Sequence, residues 1–372
     1  MSKIELTIST NYVPTWTYLE AVRELFQNAL DQEAQNSDNA ASWQYDETTG
    51  TLTICNATSK LTTASLLLGQ TTKADDESTI GQFGEGYKIA TLVLLREGKG
   101  VTFYNYGARE IWRPRFVKSR RFGTDILTFF TEKPAIWERV PSADLSIVVT
   151  GITTDEYAKI VESNLHLRDD YEVLESNQYG EVINLPGKVY VNGLYVCDYK
   201  PYRHGYNFKP EYISLDRDRK MVSDFDLCWM ASKMWSLCKD SDKVLTMVEK
   251  GYDDVAYLEA IGWLGDWYTS ASKRFQDTYG SNAVPVSTQE DFDQVPEGYK
   301  GIIVNSNYCE MIKKSPVFTM PEPDTNAATS GLIKKLQAWF GTIQGKLSYE
   351  EVQQFDAIMA KLQDRLGGTN NE

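Results

Sequence analysis

Residues 81–90 read GQFGEGYKIA, a segment with three glycines in its first six positions and a lysine at position 88. Glycine has no Cβ, so the backbone N–H groups of Gly81, Gly84 and Gly86 are open to close approach by a ligand. The residues from Lys88 onward are apolar at helical spacing and end at a Gly-Lys-Gly, which is typical of a helix and its C-terminus. Unhindered amides ahead of a helix bind phosphate, because the amides and the helix dipole both favour an anion. The segment therefore predicts an anion site.

A second polar segment lies shortly before these glycines. Residues 69–73 read GQTTK, so two hydroxyls, from Thr71 and Thr72, and the ammonium of Lys73 are available near the same anion. A glycine cluster alone is weak evidence for a phosphate site, and these three side chains strengthen the prediction.

The first predicted helix, over residues 15–35, carries a row of polar side chains. Its apolar residues recur at helical spacing. Glu24, Asn28 and Asp31 stand at i, i+4 and i+7, so they share one face, opposite the apolar stripe. Taken alone, this row is typical of a solvated helix face. Together with the glycine segment, it becomes a candidate site.

The fold class follows from the order of predicted elements. Thr15 or Thr17 is a candidate N-cap for the first helix, and another helix follows the glycine segment. Most later connections are too short for helical crossovers, so the sheet is expected to be largely antiparallel. Helices segregated from a meandering sheet predict a two-layer α+β arrangement over residues 1–165. The predicted strands are TGTLTICNA, VTFYNYG, REIWRPRF, DILTFFTE and LSIVVTG.

Two further domains are predicted, over residues 166–280 and 281–372. The first contains GKVYVNGLYVCDY, in which Asn192-Gly193 is a strong hairpin signal, followed by helical patterns. The second contains two short strands, each followed by a helix, then a linker over residues 316–331 and terminal helices. Ser348 and Glu351 are placed to form a capping box.

Composition excludes several classes of protein. The chain has 372 residues, of which 42% are hydrophobic, and no apolar run long enough for a membrane helix, so a membrane protein is not expected. The start MSKIELTIST lacks the features of a secretory signal, which predicts a cytoplasmic location. Five scattered cysteines and two histidines offer no zinc cluster. A net charge of −14 argues against wholesale binding to nucleic acid.

One segment, Arg109 to Arg121, has the opposite charge. It reads REIWRPRFVKSRR, with six basic residues, one acid and interleaved aromatic side chains. One interpretation is a solvated hairpin edge, where basic residues discourage strand pairing. The other is a local contact with nucleic acid, which the net negative charge of the chain does not favour.

The order of these motifs resembles the GHKL ATPases, the superfamily of type II topoisomerases, heat-shock chaperone ATPases, MutL proteins and sensor histidine kinases. The resemblance covers roughly residues 15 to 105 and implies a Bergerat-type two-layer sandwich. ELFQNALD is similar to the family's N box. The resemblance implies that Glu24 orients and deprotonates the attacking water, that Asn28 binds Mg²⁺ and that Asp31 closes the box.

The glycine segments also match boxes of this family. GQTTK resembles the stretch next to the lid, and IGQFGEGYK is close to the chaperones' version of the second glycine box. The resemblance implies that Lys88 lies near the phosphates. The phosphate contacts that it implies come from Gly81, Gln82, Phe83, Gly84, Glu85 and Gly86.

One box departs from the family pattern. Where the family has D-x-G-x-G, this chain has NATSK, so the acid that accepts the adenine amino proton is replaced by Asn56. An amide oxygen still accepts a hydrogen bond, but a neutral bond is about half as strong as a charge-assisted one. The expected loss is about 1 kcal/mol, or a few-fold to tenfold in affinity.

A weaker match lies in the predicted middle domain. VYVNGLYVCDY and YISLDRDRK resemble the chaperone middle domain, whose loop arginine reaches the γ-phosphate. The resemblance implies this role for Arg219, with Arg217 close by. The alternative is a surface ion-pair cluster of Asp216, Arg217, Asp218 and Arg219.

The sequence thus predicts a chaperone-like ATP-binding protein that hydrolyses ATP to ADP and phosphate with Mg²⁺, coupled to conformational change or homodimer formation. The alternative is a nucleotide-binding protein without turnover that acts on a protein or nucleic-acid partner. A histidine kinase is disfavoured because no histidine lies in a helix ahead of the ATPase region. A topoisomerase is disfavoured because the chain is too short for a DNA-cleavage domain, and a mismatch-repair role because the glycine box follows the chaperone spelling.

Overall fold

The computed structural model divides into two compact units, Met1–Met230 and Ala231–Glu372. The predicted division into three domains stays a prediction. The residues that the structure describes are 2–66, 86–135, 143–213, 215, 223–261, 266–296, 299–319 and 325–367.

A seven-stranded antiparallel sheet forms one layer of the first unit, in the order β1-β6-β5-β4-β7-β3-β2. All five strands predicted for this sheet are present, and the antiparallel pairing is confirmed. The two edge strands, β1 and β2, were not predicted. The strands are β1 Ser2–Ser9, β2 Ala41–Asp46, β3 Thr51–Asn56, β4 Gly100–Asn105, β5 Glu110–Lys118, β6 Asp125–Glu132 and β7 Leu145–Thr150.

Three helices form the other layer: α1 Tyr18–Gln35, α2 Gly86–Arg96 and α3 Thr154–Glu162. Their apolar faces pack on one side of the sheet in a single hydrophobic core. This arrangement confirms the α+β class. The core includes Leu25, Phe26, Leu92, Val93, Phe103, Trp112, Phe129 and Ile160.

A five-stranded sheet follows in the same unit, in the order β11-β10-β12-β9-β8. Strands β10 and β12 are parallel, and the other pairs are antiparallel. The predicted hairpin is confirmed, because Asn192 and Gly193 have φ of 48° and 76° between β10 and β11. The strands are β8 Val173–Asn177, β9 Gly180–Ile183, β10 Lys188–Val191, β11 Leu194–Asp198 and β12 Gly205–Phe208.

The second unit alternates short strands with helices, as predicted. Helix α4, Asp224–Ser236, spans the boundary between the units. Strands β13 and β14 form a parallel pair, and each is followed by a helix. The elements after α4 are α5 Ser241–Glu249, α6 Asp266–Tyr279, β13 Ala283–Val286, α7 Gln289–Asp293, β14 Lys300–Ile303 and α8 Ser306–Lys313.

Two long helices end the described chain, α9 Thr325–Ile343 and α10 Tyr349–Gly367. Helix α9 begins inside the predicted linker, so the linker prediction was wrong over residues 325–331. These residues lack proline, which would interrupt a helix. The predicted capping box is confirmed: Ser348 N donates to Glu351 Oε2 at 2.7 Å, and Glu351 N donates to Ser348 Oγ at 3.3 Å. No helix within the described ranges is both long and apolar enough to span a bilayer.

Candidate nucleotide site

The start of α1 is held by a capping box. Thr17 N donates to Glu20 Oε2 at 2.8 Å, and Leu19 N donates to Thr17 Oγ1 at 3.3 Å. These bonds satisfy backbone donors that the first turn of a helix leaves open. Thr17 is therefore the N-cap, and not Thr15.

The loop that enters α1 is held by Arg96, at the end of α2. Its guanidinium donates to the carbonyl oxygens of Thr10, Tyr12, Val13 and Trp16 at 2.8 to 3.2 Å. Val13 has a φ of 45°, a strained value for a β-branched residue. One side chain thus joins the beginning of α1 to the end of α2. Arg96 was not identified from the sequence, although a basic residue in the last turn of a helix often binds carbonyl oxygens.

Glu24, Asn28 and Gly86 come together where α1 crosses α2. A Cβ on Gly86 would lie 2.5 Å from Glu24 Oε2 and 3.1 Å from Asn28 Nδ2. Asn28 Nδ2 also donates to the carbonyl oxygen of Glu24 at 2.7 Å. The two predicted N-box side chains therefore lie beside the first residue of α2, and only a glycine allows this approach.

The polar row of α1 is largely buried. Glu24 and Asp31 are each about 1% exposed. The alternative interpretation of this row as a solvated helix face was therefore wrong for both residues. It failed because α2 packs on α1 at the polar row, which a helical pattern in one segment does not reveal.

One basic side chain lies beside Glu24, and another is buried two residues after Gly86. Arg23 Nη2 is 3.8 Å from Glu24 Oε1, and Arg23 Nη1 donates to the Tyr195 carbonyl oxygen at 3.4 Å, so Arg23 links the acid to β11. Lys88 is fully buried in the first turn of α2. Buried charges are costly unless they are paired, so the burial of Glu24 and Lys88 requires polar partners. Arg23 was not identified from the sequence, although it adjoins the predicted catalytic acid.

Tyr87 fastens the start of α2 to the short 3-10 turn Thr63–Leu66. Its hydroxyl donates to the Ser65 carbonyl oxygen at 2.7 Å and lies 2.9 Å from Ser65 Oγ. Burial raises the pKa of Tyr87 to about 12, so the hydroxyl remains protonated at neutral pH. Ser65 and Tyr87 thereby hold the 3-10 turn to the start of α2.

Most of the predicted phosphate ligands lie outside the described residues, as do Arg217 and Arg219. Their proposed roles stay predictions. The phosphate ligands concerned are Thr71, Thr72, Lys73, Gly81, Gln82, Phe83, Gly84 and Glu85.

Asn56, the predicted base acceptor, has a structural role at the end of β3. It is buried, and its Nδ2 donates to the carbonyl oxygens of Ala29 at 3.0 Å and Asn39 at 3.3 Å. Carbonyl oxygens only accept hydrogen bonds, which fixes the orientation of this amide. Asn56 therefore ties the sheet to α1.

The Asn39 side chain extends this network. Its Oδ1 accepts from Thr58 N at 2.9 Å, and its Nδ2 donates to Ser59 Oγ at 2.6 Å. Ser59 Oγ also donates to Gln32 Oε1 at 3.4 Å, which brings the network back to α1. Sequence reasoning had not identified Asn39.

The donor set at the helix crossing suits Mg²⁺. Nδ2 of Asn28 is engaged with the α1 backbone, which leaves Oδ1 as the side-chain atom that could ligate a metal ion, with the Glu24 carboxylate adjacent. Mg²⁺ prefers oxygen ligands and takes few from the protein when a nucleotide supplies phosphates. Nowhere in the described ranges are three or more His, Cys, Asp or Glu side chains grouped to hold a metal ion by themselves.

A family model described as "Mycoplasma pneumoniae MPN635 N-terminal domain" matches residues 155–241. These residues run from α3 through the five-stranded sheet and α4. A curated relative from Mycoplasma pneumoniae, described as an uncharacterized protein, is 23% identical over 232 residues, which are 60% of this chain and 92% of the relative.

Solved structures similar to this chain include two of the ATPase region of Saccharomyces cerevisiae topoisomerase II, one of them bound to ICRF-187 (dexrazoxane). Both are 10% identical and cover 52% of this chain and 69% of theirs, with TM-scores of 0.28 and 0.29. Scores this low carry no argument about the present chain. The functional interpretation therefore depends on the geometry of its own residues.

Proposed function

We propose that this protein is a GHKL-type ATPase that binds ATP with Mg²⁺ where α1 crosses α2 and hydrolyses it. One observation carries the proposal: Glu24 and Asn28, from one helix, adjoin Gly86 at the start of another. These are the carboxylate, the amide and the open backbone that the sequence resemblance assigns to water activation, metal binding and phosphate binding.

Each of these residues has a defined chemical role in the proposal. The start of α2 at Gly86 presents open N–H groups and the positive end of its dipole to the phosphates. Asn28 Oδ1 binds the metal ion. Glu24 accepts a proton from the attacking water and orients it. Bound Mg²⁺ would neutralise charge on the phosphates during transfer.

Hydrolysis is proposed to drive a conformational change or the association of two protomers. Arg219, Lys73 and the glycine segment retain their predicted phosphate contacts in this proposal. The proposal also includes an unknown protein partner and a cytoplasmic location.

A second candidate function is nucleotide binding without turnover. Asn56 favours it, because the side chain at the family's adenine-binding position is neutral and already bonded to the backbone of Ala29 and Asn39. Such a protein would use nucleotide to change its affinity for a partner.

Exchange of Glu24 for glutamine tests the role of the carboxylate. Glu24→Gln keeps the size of the side chain and removes its basicity. We expect phosphate release to fall by about 100-fold or more, while affinity for a non-hydrolysable ATP analogue, measured by calorimetry, changes only a few-fold.

Glu33→Gln is the matched control, because Glu33 lies on the same helix, about two and a half turns further on, and is only half-buried. It is expected to retain wild-type turnover. Wild-type protein that binds the analogue but releases no phosphate would favour the second candidate. Equal turnover in Glu24→Gln and the wild type would exclude Glu24 as the base.

A further inference from the structure

The basic stretch from Arg109 to Arg121 lies largely on β5. Residues Ile111 to Lys118 pair with β6, whereas only Glu110, Ile111 and Trp112 pair with β4. Within the described residues, Arg113, Arg115 and Lys118 therefore stand on a part of β5 with a strand partner on one side, where basic side chains discourage further pairing. Edge protection accounts for the charge of this stretch but not for the aromatic rings beside it.

Two of these arginines project from the face of the sheet opposite to the helices. Arg113 stands opposite Phe130, and Arg115 stands opposite Thr128. Side chains alternate along a strand, and Trp112, which directly precedes Arg113, belongs to the core beneath the helices. Arg113, Arg115 and Phe130 thus share the outer face.

The arginines on this face are arranged around an aromatic ring. Arg115 Cζ lies 4.0 Å from the centroid of the Phe130 ring, a cation–π distance, and the Arg115 side chain is exposed. Arg113 Nε donates to Glu132 Oε1 at 2.8 Å, and both side chains are partly solvated. Such a pair is weak and exchanges readily for another anion.

The turn between β5 and β6 continues the positive charge. Lys118, Arg120 and Arg121 are all exposed. Phe122 is 49% exposed, and Arg121 Cζ lies 5.4 Å from the centroid of its ring. Gly123 has a φ of 68° in this turn, and Ser119 N donates to the Thr124 carbonyl oxygen at 2.9 Å, so these side chains sit on a hydrogen-bonded hairpin.

Among the residues that the structure describes, few acids face this surface. Glu132 is bonded to Arg113, and Glu5 on β1 is bonded to Lys3 at 2.6 Å. Asp125, at the start of β6, is exposed. The local charge is therefore clearly positive in a chain whose net charge is −14. We name this surface the β5–β6 basic surface and define it as Arg113, Arg115, Lys118, Arg120, Arg121, Phe122 and Phe130.

We propose that the β5–β6 basic surface binds single-stranded nucleic acid. Guanidinium groups match the geometry of phosphate oxygens, and four of the five cations are arginines. The exposed ring of Phe122 beside them offers a stacking surface for unpaired bases, which a duplex does not present. This binding is independent of the proposed ATPase site.

Fluorescence anisotropy without nucleotide or Mg²⁺ tests this proposal. The probes are fluorescein-labelled oligothymidylate and oligouridylate of about 20 nucleotides, long enough for the usual single-strand site sizes, and a duplex of equal length. We expect both single strands to bind more tightly than the duplex, and their relative affinities distinguish DNA from RNA.

Variants separate the charge contribution from stacking. Arg120→Ala with Arg121→Ala removes two exposed cations, so the slope of log affinity against log salt should become shallower by about 1.4. Phe122→Ala should weaken binding by about tenfold with little change in this slope. Lys334→Ala with Lys335→Ala removes the same charge from exposed positions on α9 and should change neither quantity.

Three outcomes would overturn the proposal. Equal losses in the two double variants would mean a general charge effect. Equal affinity for duplex and single strands would exclude base stacking. Binding to anionic phospholipid vesicles, but to neither oligonucleotide, would assign the surface to a membrane.

Discussion

At the scale of single residues, the candidate site depends on the missing side chain of Gly86 and on the amide group of Asn56. Gly86 lets α2 begin within contact of Glu24 and Asn28, and any side chain there would meet the Glu24 carboxylate. Asn56 donates to two carbonyl oxygens, which a carboxylate is unable to do. Asn56, which stands where the GHKL ATPases that the sequence resembles have an aspartate, is therefore matched to the backbone around it.

Asn56→Asp, which introduces the acid found at this position in the GHKL ATPases that the sequence resembles, should destabilise this protein. A buried carboxylate facing two carbonyl oxygens loses both hydrogen bonds, so we expect the free energy of unfolding to fall by about 2 to 3 kcal/mol near pH 8. The same surroundings raise the pKa of the introduced carboxyl. As the pH falls through that pKa, the carboxyl gains a proton that it can donate, and the loss should become smaller.

Urea unfolding near pH 8 and near pH 5 measures both effects. Asn11→Asp, the same exchange at an exposed position, should change stability little at either pH. An Asn56→Asp variant as stable as the wild type near pH 8 would contradict the structural role assigned to this amide.

At the scale of elements, the candidate site depends on how α1 and α2 are fixed to each other. Thr17 begins α1, Tyr87 fastens the start of α2 to Ser65, and Arg96 ties the end of α2 to the loop before α1. Glu24 and Gly86 adjoin because both helices are fixed at their ends. The geometry of the site is thus set by residues with no proposed contact to nucleotide.

Arg96→Met should loosen this arrangement while keeping the length of the side chain. The carbonyl oxygens of Thr10, Tyr12, Val13 and Trp16 would lose a charged donor, so we expect a loss of about 2 to 4 kcal/mol in the free energy of unfolding. Arg96→Lys should recover only part of it, because an ammonium does not reproduce the guanidinium fork.

Urea unfolding and phosphate release are the measurements for this variant. Arg121→Met, at an exposed position, is the control and should leave both unchanged. Wild-type stability in Arg96→Met would show that other contacts hold the loop.

At the scale of the whole molecule, the net charge of −14 contrasts with the β5–β6 basic surface. Two such protomers repel each other, whereas an oligonucleotide is attracted to the basic surface. Salt screens both interactions over about 10 Å at 0.1 M. Its effects on the two proposed associations should therefore be opposite.

Raising the salt concentration from about 50 to about 300 mM should strengthen association between protomers in the presence of an ATP analogue and weaken oligonucleotide binding. Light scattering after gel filtration gives the mass of the protein at each salt concentration, and anisotropy gives the oligonucleotide affinity. A dimer that dissociates as salt increases would mean that complementary charges dominate its interface.

Much of the local structure was predictable from the sequence. The strands β3 to β7 appeared as β-branched and aromatic runs, the hairpin at Asn192-Gly193 as a turn signal, and the cap at Ser348 as a capping box. The polar row containing Glu24 and Asn28 was also visible. These features depend on backbone preferences and on spacing within one segment, which a single sequence displays directly.

Only the tertiary structure decided the burial of Glu24, its contact with Gly86, the position of β5 inside the sheet and the bonding of Asn56 to Ala29 and Asn39. Each of these depends on which distant segments pair or pack. A helix shows which residues share a face, but not which partner covers it. A strand shows its alternation, but not its neighbours, because hydrogen bonding between strands joins backbone groups that all residues except proline provide in the same form.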